Sequence, residues 1–165
     1  MDAYAGIATF GICVSDVAEK VTSVEENSSS IQKAKEVLKS NNIKNVELFA
    51  QDTLRYLKSI KKKFDIIILD PPRKGCTQEV LDEVLRHLKS NHSKAESDEI
   101  LRSAQNDAIA EGASKGKIIY VSCNPATLAR DLKYLTEHGA KVESIQPFDM
   151  FCHTYHIENV AIINL

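Results

Sequence analysis

KIIYVSCNPATLARD, Lys117 to Asp131, is the stretch on which the fold of this chain turns. Its apolar, β-branched start, Ile118 to Val121, reads as a buried strand. The run stops at Ser122-Cys123-Asn124, and Pro125, whose fixed φ suits a first helical turn, opens a helix. Cys123 therefore falls where the carboxyl end of a strand meets the amino end of a helix. Ligand crevices of open α/β sheets form at that edge. A helix amino terminus also favours negative charge, so a thiol placed there is biased towards thiolate. Free cysteine is often simply buried. The polar neighbours Ser122 and Asn124 make this one a candidate nucleophile.

Working outward, FDIIILD (64–70) is apolar enough for a strand buried on both faces. Pro71-Pro72-Arg73-Lys74-Gly75 ends it, and a helix over 77–88 puts Val80, Leu81, Val84, Leu85 and Leu88 on its core side. Before that come a strand at 45–50 and a short helix at 53–60. Earlier still, a strand at 20–25 leads to a helix capped by Asn27, with Ile31, Ala34, Val37 and Leu38 on one face. The chain opens with a strand cut to about four residues, a turn at 5–8, and about two helical turns carrying Phe10, Val14 and Val17. On the other side, Leu128, Leu132 and Leu135 line a helix that ends at Gly139. Strands at 141–148 and 157–164 follow, and the link between them is too short for a crossover, so they run antiparallel. Strand–helix alternation makes this a doubly wound, mostly parallel α/β sheet, Rossmann-like, with an antiparallel C-terminal strand and a first strand truncated at the N-terminus.

Residues 90–116 break the rhythm. They are polar and longer than neighbouring crossovers need, so we expect an inserted loop within one catalytic domain spanning 1–165, with a short solvated helix at 98–107. A net charge of −2 gives no global attraction to nucleic acid, so RNA binding requires a local patch or a further domain. The four cysteines, Cys13, Cys76, Cys123 and Cys152, include no CxxC pair, and the expected setting is a reducing cytoplasm. No apolar run has transmembrane length and no basic signal front is present, so no membrane partner is expected.

Several residues at strand ends suit a nucleotide-like ligand. Gly6 lies in the first strand–turn–helix, where a ligand meets backbone amides, and Ala8 stands where a second glycine is expected. Glu25 ends the second strand about twenty residues on. It either accepts from ribose hydroxyls or is an exposed strand-end charge. Asp52 is placed to accept from an adenine amino group or to cap a helix. Asp70, before two prolines, can face a pocket for a base. Near the end, Cys152, His153, His156 and Glu158 gather titratable groups. Their spacing does not suit a tetrahedral metal site, and Glu158 is the better candidate for a general base. A Cys–His hydrolase built on Cys123 with His153 or His156 would leave Glu25 and Asp70 without a role.

DAYAGIAT (2–9), the strand end at Glu25, DPPRKGC (70–76), VSCNPATLARDL (121–132) and QPFDMFCHTYHIEN (146–159) together resemble one family, the RNA uracil-C5 methyltransferases. The resemblance covers nearly all the chain outside 90–116, and the closing antiparallel pair is similar to that of methyltransferases using S-adenosylmethionine (SAM). It implies methyl transfer from SAM to C5 of a uridine in rRNA or tRNA through a covalent cysteine adduct. Tyr4, Gly6, Glu25, Asp52 and Asp70 would bind SAM, Cys123 would be the nucleophile and Glu158 the base. Family members also carry an upstream RNA-binding domain and an upstream glutamine that helps hold SAM. Ala5 and Ala8 replace their usual cysteine and glycine. A SAM-binding remnant without turnover is the alternative.

Overall fold

The computed structural model describes residues 1–88, 116–150, 153–154 and 157–165. In chain order the elements are β1 (Asp2–Ala3), α1 (Thr9–Cys13), β2 (Val21–Glu25), α2 (Ser28–Ser40), β3 (Val46–Ala50), α3 (Thr53–Ser59), β4 (Ile66–Leu69), α4 (Gln78–Leu88), β5 (Lys117–Ser122), α5 (Pro125–Glu137), β6 (Lys141–Phe148) and β7 (Glu158–Asn164). The strands form a seven-stranded sheet in the order β3-β2-β1-β4-β5-β7-β6. β1, short as it is, lies at the centre and pairs in parallel with β2 and β4. β2–β3 and β4–β5 are also parallel, whereas β7 runs antiparallel to both β5 and β6. The order changes direction between β1 and β4, which puts the switch-point crevice at the carboxyl ends of those strands.

The periodicity of the helices is realised in the packing. Val80, Leu81, Val84, Leu85 and Leu88 of α4 and Leu128, Leu132 and Leu135 of α5 are all buried. With Leu57 they cover one sheet face, formed by Ile67, Leu69, Ile118, Tyr120, Ala161 and Ile163. Each such leucine contributes about 1.5–3 kcal/mol by burial. Across the sheet, Ile12, Ala34 and Leu38 pack on Val21, Val46 and Leu48. Asn27 caps α2 as its sequence predicts, accepting from the amides of Ser29 and Ser30.

One expectation is corrected. α1 has five residues rather than two turns, and Val17 is 87% exposed. Asn45, approaching from the start of β3, donates to the carbonyls of Ser15 and Ala18, and the chain turns there instead of continuing the helix. β4 is buried on both faces over Ile67, Ile68 and Leu69, as its sequence predicts, and only its first residue, Ile66, is exposed, at 44%. Because β1 is so short, the amino ends of the central strands open into a cavity of about 530 Å³ lined by Met1, Val17, Val21, Phe64 and Ile66. This cavity lies at the edge of the sheet opposite the switch point.

The short solvated helix expected at 98–107 lies outside the described residues, as does nearly all of the expected insertion. Of the residues that bound it, Leu88 and Gly116 are described. A Cβ added at Gly116 would meet the backbone oxygen of Leu88 at 2.8 Å, so the chain leaves α4 and enters β5 at one point.

Candidate active site

The parallel sheet brings every candidate residue in the described chain to one edge. The carboxyl ends of β1, β2, β3, β4 and β5 carry Tyr4 and Gly6, Glu25, Asp52, Asp70 and Cys123 respectively. β7 is antiparallel, so its first residue, Glu158, lies at that same edge.

The loop after β1 folds back with three left-handed residues, Tyr4 (φ 60°), Gly6 (φ 55°) and Ala8 (φ 62°). Its fold is held by the Ala5 amide on the Val24 carbonyl (3.0 Å) and the Ala8 amide on the Ala5 carbonyl (2.7 Å). Glu25 is tied into the loop. Its Oε2 accepts from the Gly6 amide at 2.9 Å and its Oε1 from the Asn27 amide at 2.8 Å. A carboxylate offers about four acceptor positions, so two stay available to a ligand diol. Asp52 caps α3, its Oδ1 accepting from the Arg55 amide at 2.9 Å. Both readings of Asp52 remain compatible, because its second oxygen is not used by the cap.

Cys123 and Glu158 lie at the same end of the β5–β7 pair. The ladder runs to the pair Ser122–Asn159, so Cys123 follows directly on β5 and Glu158 directly precedes Asn159 at the start of β7. The Asn159 side chain reinforces the junction by donating to the Ser122 carbonyl at 3.4 Å. Cys123 is half-buried, and Asn124 beside it caps α5 through the amides of Ala126 and Thr127. Burial raises the Glu158 carboxyl above the ordinary carboxylate range, and the negative charge of Asp70 adds to the rise. Burial also raises the Asp70 carboxyl, although the residue as a whole is exposed.

The other thiols differ. Cys76 is buried, and that burial pushes its thiol up to about 12, so it stays protonated. Cys13 is exposed at the end of α1. Cys152 and His156 lie outside the described residues. His153 is exposed, with φ 63°. Among the described residues no three His, Cys, Asp or Glu side chains group as metal ligands, and no helix is long and apolar enough to cross a membrane.

Several residues of the site are not apparent from the sequence pattern. Asp2 is fully buried in β1 and its Oδ2 accepts from the Gly11 amide at 2.9 Å. Burial pushes its carboxyl up to about 6. Burial also raises the hydroxyl of Tyr4, which the sequence did nominate, and Cys76 adds to the rise. The face of α5 that leads away from Cys123 grips loop 70–76. Asn124 Nδ2 and Thr127 Oγ1 donate to the Arg73 carbonyl at 3.3 and 3.1 Å. Arg130 Nη2 donates to the carbonyls of Lys74 and Cys76 at 2.9 and 3.1 Å. Asp131 Oδ2 accepts from the Cys76 amide at 2.8 Å and the Tyr120 hydroxyl at 2.5 Å. Gly75 is required here, since its φ is +74° and a Cβ would meet Asp131 Oδ2 at 2.5 Å. The available signal was the spacing 124, 127, 130, 131, a polar stripe beside the leucine face of the same helix.

Comparison with known proteins follows this division of the chain. A family model described as Conserved hypothetical protein 95 matches residues 1–115, and one described as tRNA (Uracil-5-)-methyltransferase matches residues 104–164. An uncharacterized RNA methyltransferase of Thermotoga maritima is 37% identical over 163 residues, covering 99% of this chain and 31% of its own. One from Clostridium tetani is 35% identical, covering 98% and 30%. The chain thus spans about a third of the length of the curated relatives it matches. Among solved structures, the Pyrococcus abyssi tRNA (uracil-54, C5)-methyltransferase in complex with S-adenosyl-L-homocysteine superposes with a TM-score of 0.72 at 30% identity, over 98% of this chain and 33% of that one. A putative SAM-dependent methyltransferase of Streptococcus mutans, at 15% identity and a TM-score of 0.73 over 99% of this chain and 43% of its own, shares the fold. The chain belongs to the family of the first model, described as Conserved hypothetical protein 95, and over residues 104–164 it is similar to the tRNA (Uracil-5-)-methyltransferase model.

Proposed function

We propose that this chain carries the cofactor edge, the nucleophile and the base for SAM-dependent methylation of uridine C5 in RNA, in tRNA or rRNA. The observation that supports the reading is the sheet edge to which the strand ends bring Cys123 and Glu158, the edge that also holds Glu25 and Asp70. The residues fit SAM. Glu25 is pinned by two amides with acceptor capacity left for the ribose hydroxyls, and Gly6, in a left-handed turn, lets the backbone come close. Tyr4, Asp52 and Asp70 complete the rim. When bound, SAM supplies a methyl group on a sulfonium, ready for transfer to a carbon nucleophile.

Uracil C5 is a poor nucleophile until it is activated. The Cys123 thiolate adds to C6 and the displaced π electrons make C5 an enolate carbon. After C5 has taken the methyl group, Glu158 removes the C5 proton, the C5–C6 double bond re-forms and the thiolate leaves. A carboxyl held above its ordinary range is a stronger base than an exposed glutamate. The reaction occurs on a base face, so the uridine must be unstacked to reach Cys123. Upstream RNA-binding polypeptide would add the affinity that a net charge of −2 does not, in a cytoplasmic setting with free thiols.

Two measurements test the proposal, SAM affinity by calorimetry and methyl transfer to unmodified RNA. Glu25→Ala should weaken SAM binding by roughly 1–3 kcal/mol, the worth of a hydrogen-bonding carboxylate. Equal affinity of both proteins would remove Glu25 from the site. SAM binding without transfer would favour a SAM-binding remnant without turnover.

A further inference from the structure

We propose that Arg130 and Asp131 are positioning residues, which act through the backbone of loop 70–76 to hold the wall beside Asp70 in a set relation to Cys123. The proposal deepens the reading above and rests on Cys123 as the nucleophile. It begins from an excess of bonding. In loop 70–76, three carbonyls and one amide are taken by side chains of α5, all within two helical turns of Cys123. The Cys76 amide and carbonyl belong to a buried residue and need partners, but Arg73 and Lys74 are exposed and could leave their carbonyls to water, so the side chains that take those two fix a geometry.

The anchor of this arrangement is buried. Asp131 is 2% exposed and accepts from the Cys76 amide, the Tyr120 hydroxyl and Arg130 Nε, the last at 2.8 Å. Tyr120 lies on β5, three residues before Cys123, and is itself fully buried. Arg130 then spans outward from Asp131 to the two carbonyls of the loop. A planar guanidinium can make these bonds together, whereas a lysine ammonium cannot reach all of them. Loop, β5 and α5 are therefore one body, with Asp70 at one end and Cys123 at the other. Loss of about 1 Å in such an alignment lowers reaction rates by roughly 100-fold.

The test uses the 165-residue chain with Arg130→Lys and Asp131→Asn, and Leu38→Ala as a control of comparable instability across the sheet. Iodoacetamide labelling with peptide-resolved mass spectrometry reads Cys76 and Cys123 separately and needs neither SAM nor RNA. Cys76 should be protected in wild type and in Leu38→Ala, and should label at least about tenfold faster in Arg130→Lys and Asp131→Asn as the loop opens locally. With SAM and substrate RNA, covalent adduct formation by Arg130→Lys should fall by roughly 10–100-fold while SAM affinity stays within about twofold. Wild-type labelling of Cys76 in both variants overturns the clamp, whatever the RNA result. Unaltered adduct formation in Arg130→Lys overturns the positioning role. If wild type itself forms no adduct, the adduct comparison is made with an upstream region joined to the chain, and the Cys76 labelling decides the clamp on the 165-residue chain alone.

Discussion

Ala8 holds φ 62° while fully buried, so two opposing effects meet at one methyl group. A left-handed conformation costs a non-glycine residue about 1–2 kcal/mol, and burying a methyl returns about 0.8 kcal/mol. Ala8→Gly should therefore leave stability within about 1 kcal/mol of wild type. Ala34→Gly, equally buried but inside α2, loses both helix propensity and the methyl and should cost about 2 kcal/mol. Equal losses in chemical denaturation would show that the backbone at position 8 is not strained. Asp2 makes a second prediction. Burial holds its carboxyl at about 6 against an ordinary 3.8, so the folded state binds the proton more tightly than the unfolded chain. The stabilisation is full below about pH 4 and is lost as pH rises through about 6, by roughly 2–3 kcal/mol. Asp2→Asn should flatten that slope in denaturation curves taken from pH 4 to 7, and an unchanged slope would place its origin elsewhere. At this scale the positions of Cys123, Glu158, Glu25 and Asp70 at strand ends were legible, because each is a polar group where an apolar run stops or starts. Asp131 and Tyr120 were not, since an aspartate within a helix reads as surface and a tyrosine within an apolar run reads as core.

The elements were legible wherever apolar spacing alone decides them. α4 and α5 bury the residues their periodicity nominates, and the β6–β7 pair is antiparallel as its short link demands. α1 departed for a tertiary reason, Asn45 drawing the chain after it into a turn. Such effects come from distant partners and leave no local pattern. We propose that the segment between α4 and β5 is an insertion that the sheet does not need. Leu88 and Gly116 adjoin, so a few residues suffice to join them. Closure entropy grows only logarithmically with length. Replacing 91–114 with a short Gly-Ser linker should change stability by no more than about 1 kcal/mol. A loss of several kcal/mol would show that the segment packs on the body of the protein.

Across the whole molecule, topology does what no single motif can. Residues separated by most of the chain, from Tyr4 to Glu158, meet because parallel strands end at one edge and β7 begins there. The central claim is that this edge divides labour between Cys123, which adds before methyl transfer, and Glu158, which acts after it. Denaturing gel electrophoresis of protein incubated with SAM and substrate RNA tests the claim directly, with an upstream region joined to the chain if the chain alone is inert. Cys123→Ala should give no protein–RNA adduct. Glu158→Gln should give a methylated adduct that persists, because the C5 proton stays and the thioether cannot eliminate. An adduct from Cys123→Ala would move the nucleophile to another cysteine, and rapid, clean turnover by Glu158→Gln would contradict its role as the base.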